Sequence, residues 1–309
     1  MSQLQHLDEL PPNFPDFANE VADAMETMYG PEAAAHYRGA AEAQFRGAIQ
    51  HPSVDMLGCY EGKRALALLV TIQRGMVTQF SFLHVLEDAL GRGIEQRLVA
   101  EAVRIHRAGG VDAILAEYVQ FASLDDREVY ESLGFETIQR ELMIATLPNP
   151  QLTREAPPAS VEFSQDDWGD AAEVIVAAYD GHPGRRLHIE VRDFENALAF
   201  VQAVSESSYG PSRPEYRRRM RQNGVTEGVI VGCEVAPRIG FILQVAVRPE
   251  YQDRGIGGRL VSELSQALEA AGCAQVALGV TSDSPARRLY SRLGFRTLRD
   301  VPAHVWWRP

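Results

Sequence analysis

Between Arg238 and Pro249 the chain reads RIGFILQVAVRP. The alternation puts Ile239, Phe241, Leu243, Val245 and Val247 on one face of a strand and Gly240, Ile242, Gln244 and Ala246 on the other. Both faces are mostly apolar or small, which predicts a strand inside a sheet. The period then changes. Leu260, Leu264, Leu268 and Ala271 recur every three or four residues, predicting a helix with one buried stripe that stops at Gly272. CAQVALGVT returns to alternation, with Ala274, Val276, Leu278 and Val280 on one side. Ser284 as N-cap, Pro285 at the first helical position and Gly294 as C-cap predict a short helix over Pro285–Leu293. HVWWRP predicts a strand that closes the domain. Strand, helix, strand, helix, strand is an α/β order that builds a mixed sheet.

The same pattern is written twice. Arg92, Gly93 and Ile94 match Arg254, Gly255 and Ile256. Gly110 matches Gly272. Tyr130, Leu133, Gly134 and Phe135 match Tyr290, Leu293, Gly294 and Phe295, in the same order and at nearly the same spacing. A domain-sized repeat present twice is a tandem duplication, not a solenoid. The proline-rich stretch LPNPQLTREAPPAS has no apolar periodicity. It sets the expected boundaries: a first domain at 1–147, a linker at 148–160 and a second domain at 161–309. DMLGCYEG, ALALLVTIQ and TQFSFLHVL predict three strands ahead of the first glycine turn. The second copy offers only EGVIVGCEV and RIGFILQVAV with clear alternation, because RRMRQNGVT does not read as a strand.

Composition narrows the partners. The 309 residues carry a formal net charge of −12, which argues against a nucleic-acid surface and is compatible with cationic substrates such as amines. Cys59, Cys233 and Cys273 are few, odd in number and without metal-type spacing, pointing to a reducing compartment. The first twenty residues have no basic start followed by an apolar run. The apolar run Ala65–Ile72 is far short of the roughly 20 residues of a membrane span. These features predict a cytoplasmic protein with no membrane partner.

Three glycines crowd the turn QDRGIGGRL, Gln252–Leu260, between the central strand and its helix. A helix N-terminus exposes unpaired N–H groups and partial positive charge, and glycines at its mouth let a phosphate approach the backbone. Gly255, Gly257 and Gly258 sit there, and Arg254 adds a cation. Neither a P-loop nor a dinucleotide fingerprint fits: no Lys-Ser or Lys-Thr follows, and the sixth position counted from Gly255 is Leu260. Glycine used only to pack a tight turn is the competing explanation.

Gln252, Gly255 and Gly257 reproduce the Q/R-x-x-G-x-G/A pattern, and Asp283, Ala286 and Tyr290 followed by LGF parallel a later N-x-x-A-x-x-x-Y. The combination resembles the GNAT superfamily of acyl-CoA-dependent N-acyltransferases, strongly over about Arg238–Phe295 and weakly over about Thr78–Phe135. The resemblance implies two tandem GNAT-like domains. It implies acetyl-CoA as co-substrate, with its pyrophosphate held by Gln252, Asp253, Arg254, Gly255, Ile256, Gly257 and Gly258. It places the pantetheine arm along Val245, Ala246 and Val247. Tyr290 becomes the acid that protonates the leaving thiolate, a role a phenol can fill. Asp283 departs from the family's asparagine, keeping an acceptor and losing an amide donor; Ser284 beside it is a substitute. The implied reaction is direct attack of a primary amine of a small acceptor on the thioester, with no metal. Tandem chains of this length include mycothiol synthases, although no motif marks this chain as one. The alternative is a non-catalytic acyl-CoA-binding or regulatory protein in which Tyr290 only packs.

The first copy departs from the pattern where cofactor would touch. Glu95 and Gln96 replace Gly257 and Gly258, Leu90 replaces Gln252, Ser123 stands at the position of Asp283, and Asp126 replaces the expected alanine. A carboxylate about 4 Å from a phosphate costs about 4 kcal/mol at an effective dielectric of 20, unless it swings into water. The first domain is therefore expected to be silent and to shape the substrate cleft. EYRRRMRQN reads as a solvated helix face, His182 and His188 lack metal spacing, and Glu234 reads as an edge-strand carboxylate in preference to a base.

Overall fold

The computed structural model describes residues 2–118, 127–152 and 159–308. They form two compact units, 1–139 with 301–309, and 140–300. No described helix is long and apolar enough to cross a membrane.

The first unit runs β1 (Gln3–His6), α1 (Phe14–Tyr29), α2 (Pro31–Ile49), β2 (Val54–Glu61), β3 (Arg64–Arg74), β4 (Val77–Val85), α3 (Ile94–Ala108), β5 (Ala113–Ala116), α4 (Arg127–Ser132) and β6 (Glu136–Ile138). The second runs β7 (Arg140–Thr146), β8 (Val161–Glu162), α5 (Trp168–Ala178), α6 (Phe194–Ser205), β9 (Arg217–Gln222), β10 (Val225–Ala236), β11 (Ile239–Val247), α7 (Ile256–Ala270), β12 (Gln275–Thr281), α8 (Pro285–Arg292) and β13 (Arg296–Asp300). A last strand, β14 (Ala303–Trp307), belongs to the first unit.

Each unit holds a seven-stranded mixed sheet. The first has the order β1-β2-β3-β4-β5-β14-β6 and the second, read from its other edge, β8-β9-β10-β11-β12-β7-β13. The two orders correspond position for position. HVWWRP therefore does not close the second domain. β14 pairs with β5 and β6, and β7 takes the equivalent place between β12 and β13. The boundaries differ accordingly from 147/161, and residues 153–158 of the expected linker lie outside the described residues. Side-chain burial explains the placement of β14. His304 stacks on Tyr130 at 4.2 Å, and the Arg107 guanidinium lies 4.3 Å from the Trp306 ring.

The arginine run is another correction. It forms β9, the second unit's counterpart of β2, not a solvated helix face. Arg218 donates to the Ser160 hydroxyl at 2.7 Å and to its carbonyl at 2.9 Å, with Glu263 at 3.8 Å. Arg219 pairs with Asp167 at 2.7 Å and Asp170 at 3.4 Å. Successive strand residues point to opposite faces, so a run of cations can alternate when acids wait on both sides.

In the second unit α7 covers one face of the sheet, burying Leu260, Leu264 and Leu268, while α5 and α6 pack near Val229, Val231 and Ala246 on the other. Gly228, Gly232 and Gly240 let α7 approach: a Cβ on any of them would come within 3.0 Å of an α7 side chain.

Candidate active site

The site begins with a break in β11. Gln244 pairs with Val231, Ile242 pairs with Gly232, and Leu243 between them is left over as a bulge. The unbroken alternation predicted for Ile239–Val247 is therefore wrong. Ile242 packs on the α7 side with Val245 and Val247, and Leu243 joins Ala246 on the other. A bulge bends its strand and alters local twist. Parallel pairing of β11 with β12 lasts only from Ile239 to Ile242. Beyond it the strands part, and among the described residues 243–247 has no strand neighbour on that side. The first unit repeats the device: Ser81 is skipped between β3 and β4, and β4 pairs with β5 only from Val77 to Phe80.

The parted strands open a cleft of about 610 Å³. Val245, Ala246 and Val247 form part of one wall. Gln252, Asp253, Gly255, Ile256, Gly257 and Gly258 form the end at the α7 N-terminus, and Tyr290 closes the inner part. Gly255 is the α7 N-cap with φ +79°, a left-handed conformation that favours glycine; no side chain caps the helix, and its first turn has no acid. Gly257 has another reason. A Cβ there would meet only Leu289 and Val247 at an ordinary 3.7 Å, so packing within the protein does not demand glycine, and its bareness leaves space in the cleft. Gln252 donates its amide to the Val247 carbonyl at 3.1 Å and braces the loop.

Two predicted residues are not in the walls. Arg254 turns back to the Glu250 carbonyl at 2.8 Å and lies over the Tyr251 ring. Asp283 is exposed. Arg292 and Ser284 line the cleft instead. Glu234 also lies elsewhere, accepting from Tyr216 at 2.8 Å and pairing with Arg213 at 3.3 Å.

Tyr290 is 6% exposed, and burial pushes its phenol well above the ordinary value. Its neighbours on the inner wall include Arg140, Tyr179, His182, His188 and Gln244, all missed as a site from sequence. Arg140 lies on β7, on the far side of the expected linker, so no local spacing links it to Tyr290.

Hydrogen bonds fix the polarity of this wall. Arg140 Nη1 donates to His188 Nε2 at 2.7 Å, so that nitrogen accepts and Nδ1–H faces Glu190 at 3.1 Å. Burial works to raise the Glu190 carboxyl, but the nearby His188 and Arg140 outweigh it and hold it below the usual range. His182 Nδ1 accepts from the Gly184 N–H at 3.0 Å, which leaves the neutral ring's proton on Nε2; burial, with His188 nearby, lowers its pKa. Gln244 Oε1 accepts from Tyr179 and from the Val245 N–H, both at 3.1 Å, which turns its Nε2 amide away from them.

The first unit differs at the matching places. Glu95 is only 7% exposed, so it does not swing into water, and its Oε2 has no hydrogen-bond partner among the described residues. Tyr130 bonds the Tyr118 hydroxyl at 2.9 Å. Ser123 and Asp126 lie outside the described residues.

Residues 222–306 match the family model described as FR47-like protein. A GCN5-related N-acetyltransferase from Sphaerobacter thermophilus superposes with TM-score 0.73 at 20% identity, covering 99% of this chain and 96% of its own. A tandem GNAT protein from the clavulanic acid biosynthesis pathway, solved without AcCoA, superposes over 99% of both chains with TM-score 0.62 at 16% identity. The chain has the fold of tandem GNAT proteins. A putative acetyltransferase from Pyrococcus horikoshii superposes at 13% identity with TM-score 0.59, over 100% of this chain and 90% of its own. No curated protein matches significantly. The fold resemblance implied by Gln252–Gly258 and Tyr290 thus extends over both halves, including the first, where the sequence signal was weak.

Proposed function

We propose that the second unit is an acetyl-CoA-dependent N-acetyltransferase acting on a primary amine of a small acceptor, and that the first unit is silent. One observation carries the reading: an unpaired strand edge leads from buried Tyr290 to an uncapped helix N-terminus without acidic side chains. The residues fit the donor. The edge at 243–247 suits an extended chain bearing amides, and the α7 N-terminus, opened by Gly257, suits a pyrophosphate. Acetyl-CoA would supply an activated acyl thioester there.

The chain's own groups then have distinct tasks. The glycine turn orients the donor. Tyr290 holds a proton at Oη for the leaving thiolate, and burial keeps that proton in place. The arrangement suits a single displacement by the neutral amine: a nitrogen–carbon bond forms as the carbon–sulfur bond breaks, sulfur receives the Tyr290 proton, and the proton that nitrogen then sheds passes to water and so back to Tyr290. Burial pushes Cys233 up to about 12 and Cys273 up to about 11, Glu234 adding to both. Neither is a thiolate at neutral pH, which supports attack without an acyl-cysteine intermediate.

Calorimetric titration with acetyl-CoA tests the reading. One equivalent is expected, abolished by Gly257→Glu and unaffected by Glu95→Ala. Two equivalents would contradict the silent first unit. No binding would remove the acetyltransferase proposal, and binding without turnover across an amine panel would leave a non-catalytic acyl-CoA-binding protein.

A further inference from the structure

We infer that the acceptor carries a carboxylate close to its amine, and that Arg140, Gln244 and His182 recognise it. The inference rests on the acyltransferase reading and names its second substrate class. Three side chains of the inner wall, Arg140, Gln244 and His182, keep hydrogen-bond donors. Arg140 has five N–H donors and no acceptor. It is 6% exposed yet reaches the cleft. Its Nη2 passes so close to Gly279 that a Cβ there would sit 2.9 Å away. Glycine at 279, itself a lining residue, is what admits the guanidinium. Gln244 is 7% exposed, and both bonds to its Oε1 come from donors, one a backbone N–H that can do nothing else. The amide orientation is thereby set, with Nε2 remaining as the donor. His182 accepts through Nδ1 and so carries its proton on Nε2.

Carboxylates are placed differently. Among the described lining residues the single acid is Asp253, in the glycine turn; exposed Asp283, outside the lining, acts on His182 electrostatically. Glu190 pairs with His188, which accepts from the Arg140 guanidinium, and Arg140 also helps hold the Glu190 carboxyl low. A bare alkylammonium beside these three side chains would meet donors with donors. A carboxylate would meet a guanidinium and an amide in charge-assisted bonds.

Matched amines test the inference, with thiol release as the readout: glycine against glycinamide, β-alanine against β-alaninamide, and 4-aminobutyrate against its amide, with propylamine as the uncharged-tail reference. The carboxylate member of at least one pair is expected to win by about 10- to 100-fold in kcat/KM, the range of a charge-assisted hydrogen bond. Arg140→Gln should erase the preference. Gln244→Glu keeps an oxygen for Tyr179 and Val245 but replaces the donor by a carboxylate, and should reverse it. This near-isosteric second variant covers the case in which Arg140→Gln fails to fold. Amides or propylamine turning over as well as the acids would overturn the inference. So would a preference that survives both substitutions, or a panel in which no acid reacts while acetyl-CoA still binds at one equivalent. Loss of acetyl-CoA binding in the unsubstituted protein would instead overturn the acyltransferase reading.

Discussion

The same two positions decide the character of each half. At the first helical turn, Gly257 leaves open space and Glu95 fills the equivalent place with a buried carboxylate. At the tyrosine, Tyr130 has its hydroxyl bonded to Tyr118, whereas no described residue bonds the Tyr290 hydroxyl. Tyr290→Phe should lower kcat by about 10²- to 10³-fold, the usual size of a lost acid, with KM for acetyl-CoA nearly unchanged. Stopped-flow thiol release checks this. The direction of the pKa shift adds a second expectation. Burial raises the phenol, so it stays protonated through alkaline pH and kcat should show no Tyr290-dependent loss up to about pH 10. An alkaline limb near pH 9 that disappears in Tyr290→Phe would contradict that role.

Among the elements, β9 shows how a strand can form without an apolar stripe. Arg218 faces Ser160 and Glu263, and Arg219 faces Asp167 and Asp170. Glu263 also accepts from the backbone N–H groups of Ala159 and Ser160 at 2.8 and 3.0 Å. Breaking such a buried network from one side leaves charge unpaired. Arg218→Met should cost about 3 kcal/mol in urea unfolding, where a solvated helix face would lose under about 0.5 kcal/mol. Adding Glu263→Leu should recover part of the loss, because the stranded charge goes with it.

For the whole molecule, the exchanged strands matter most. Ending the chain at Asp300 removes β14 and should expose β5 and β6 of the first sheet to hydrogen exchange while β10 and β11 stay protected. The domain boundary expected from the linker gives the opposite result. Acid should also act on the first unit. Burial lowers the pKa of His84, despite its 2.9 Å contact with Glu20, and of His106, which bonds Thr71 at 3.0 Å. Unfolded histidine takes a proton near pH 6.5, and these two resist it when folded. Their contribution is present above about pH 6.5 and is lost as pH falls through the depressed folded values. The thermal midpoint should drop between pH 7 and pH 5, and less so in a His84→Gln, His106→Gln variant.

Local information sufficed for much of this protein. The periodicities that predicted β11, α7, β12 and α8 depend on neighbours in sequence, as do the Ser284 cap and the left-handed turn at Gly255, and the structure contains all of them. The repeat pointed to two like domains, and the glycine turn indicated one end of the cleft. Other features depended on partners distant along the chain. The bulge at Leu243 arises from register with β10, and β9 needs acids from α5 and α7. Arg140 meets His188 and the Tyr290 wall only because β7 crosses to the second sheet. Strand assignment across a duplication is settled by which side chains become buried together, and sequence spacing carries no record of that choice.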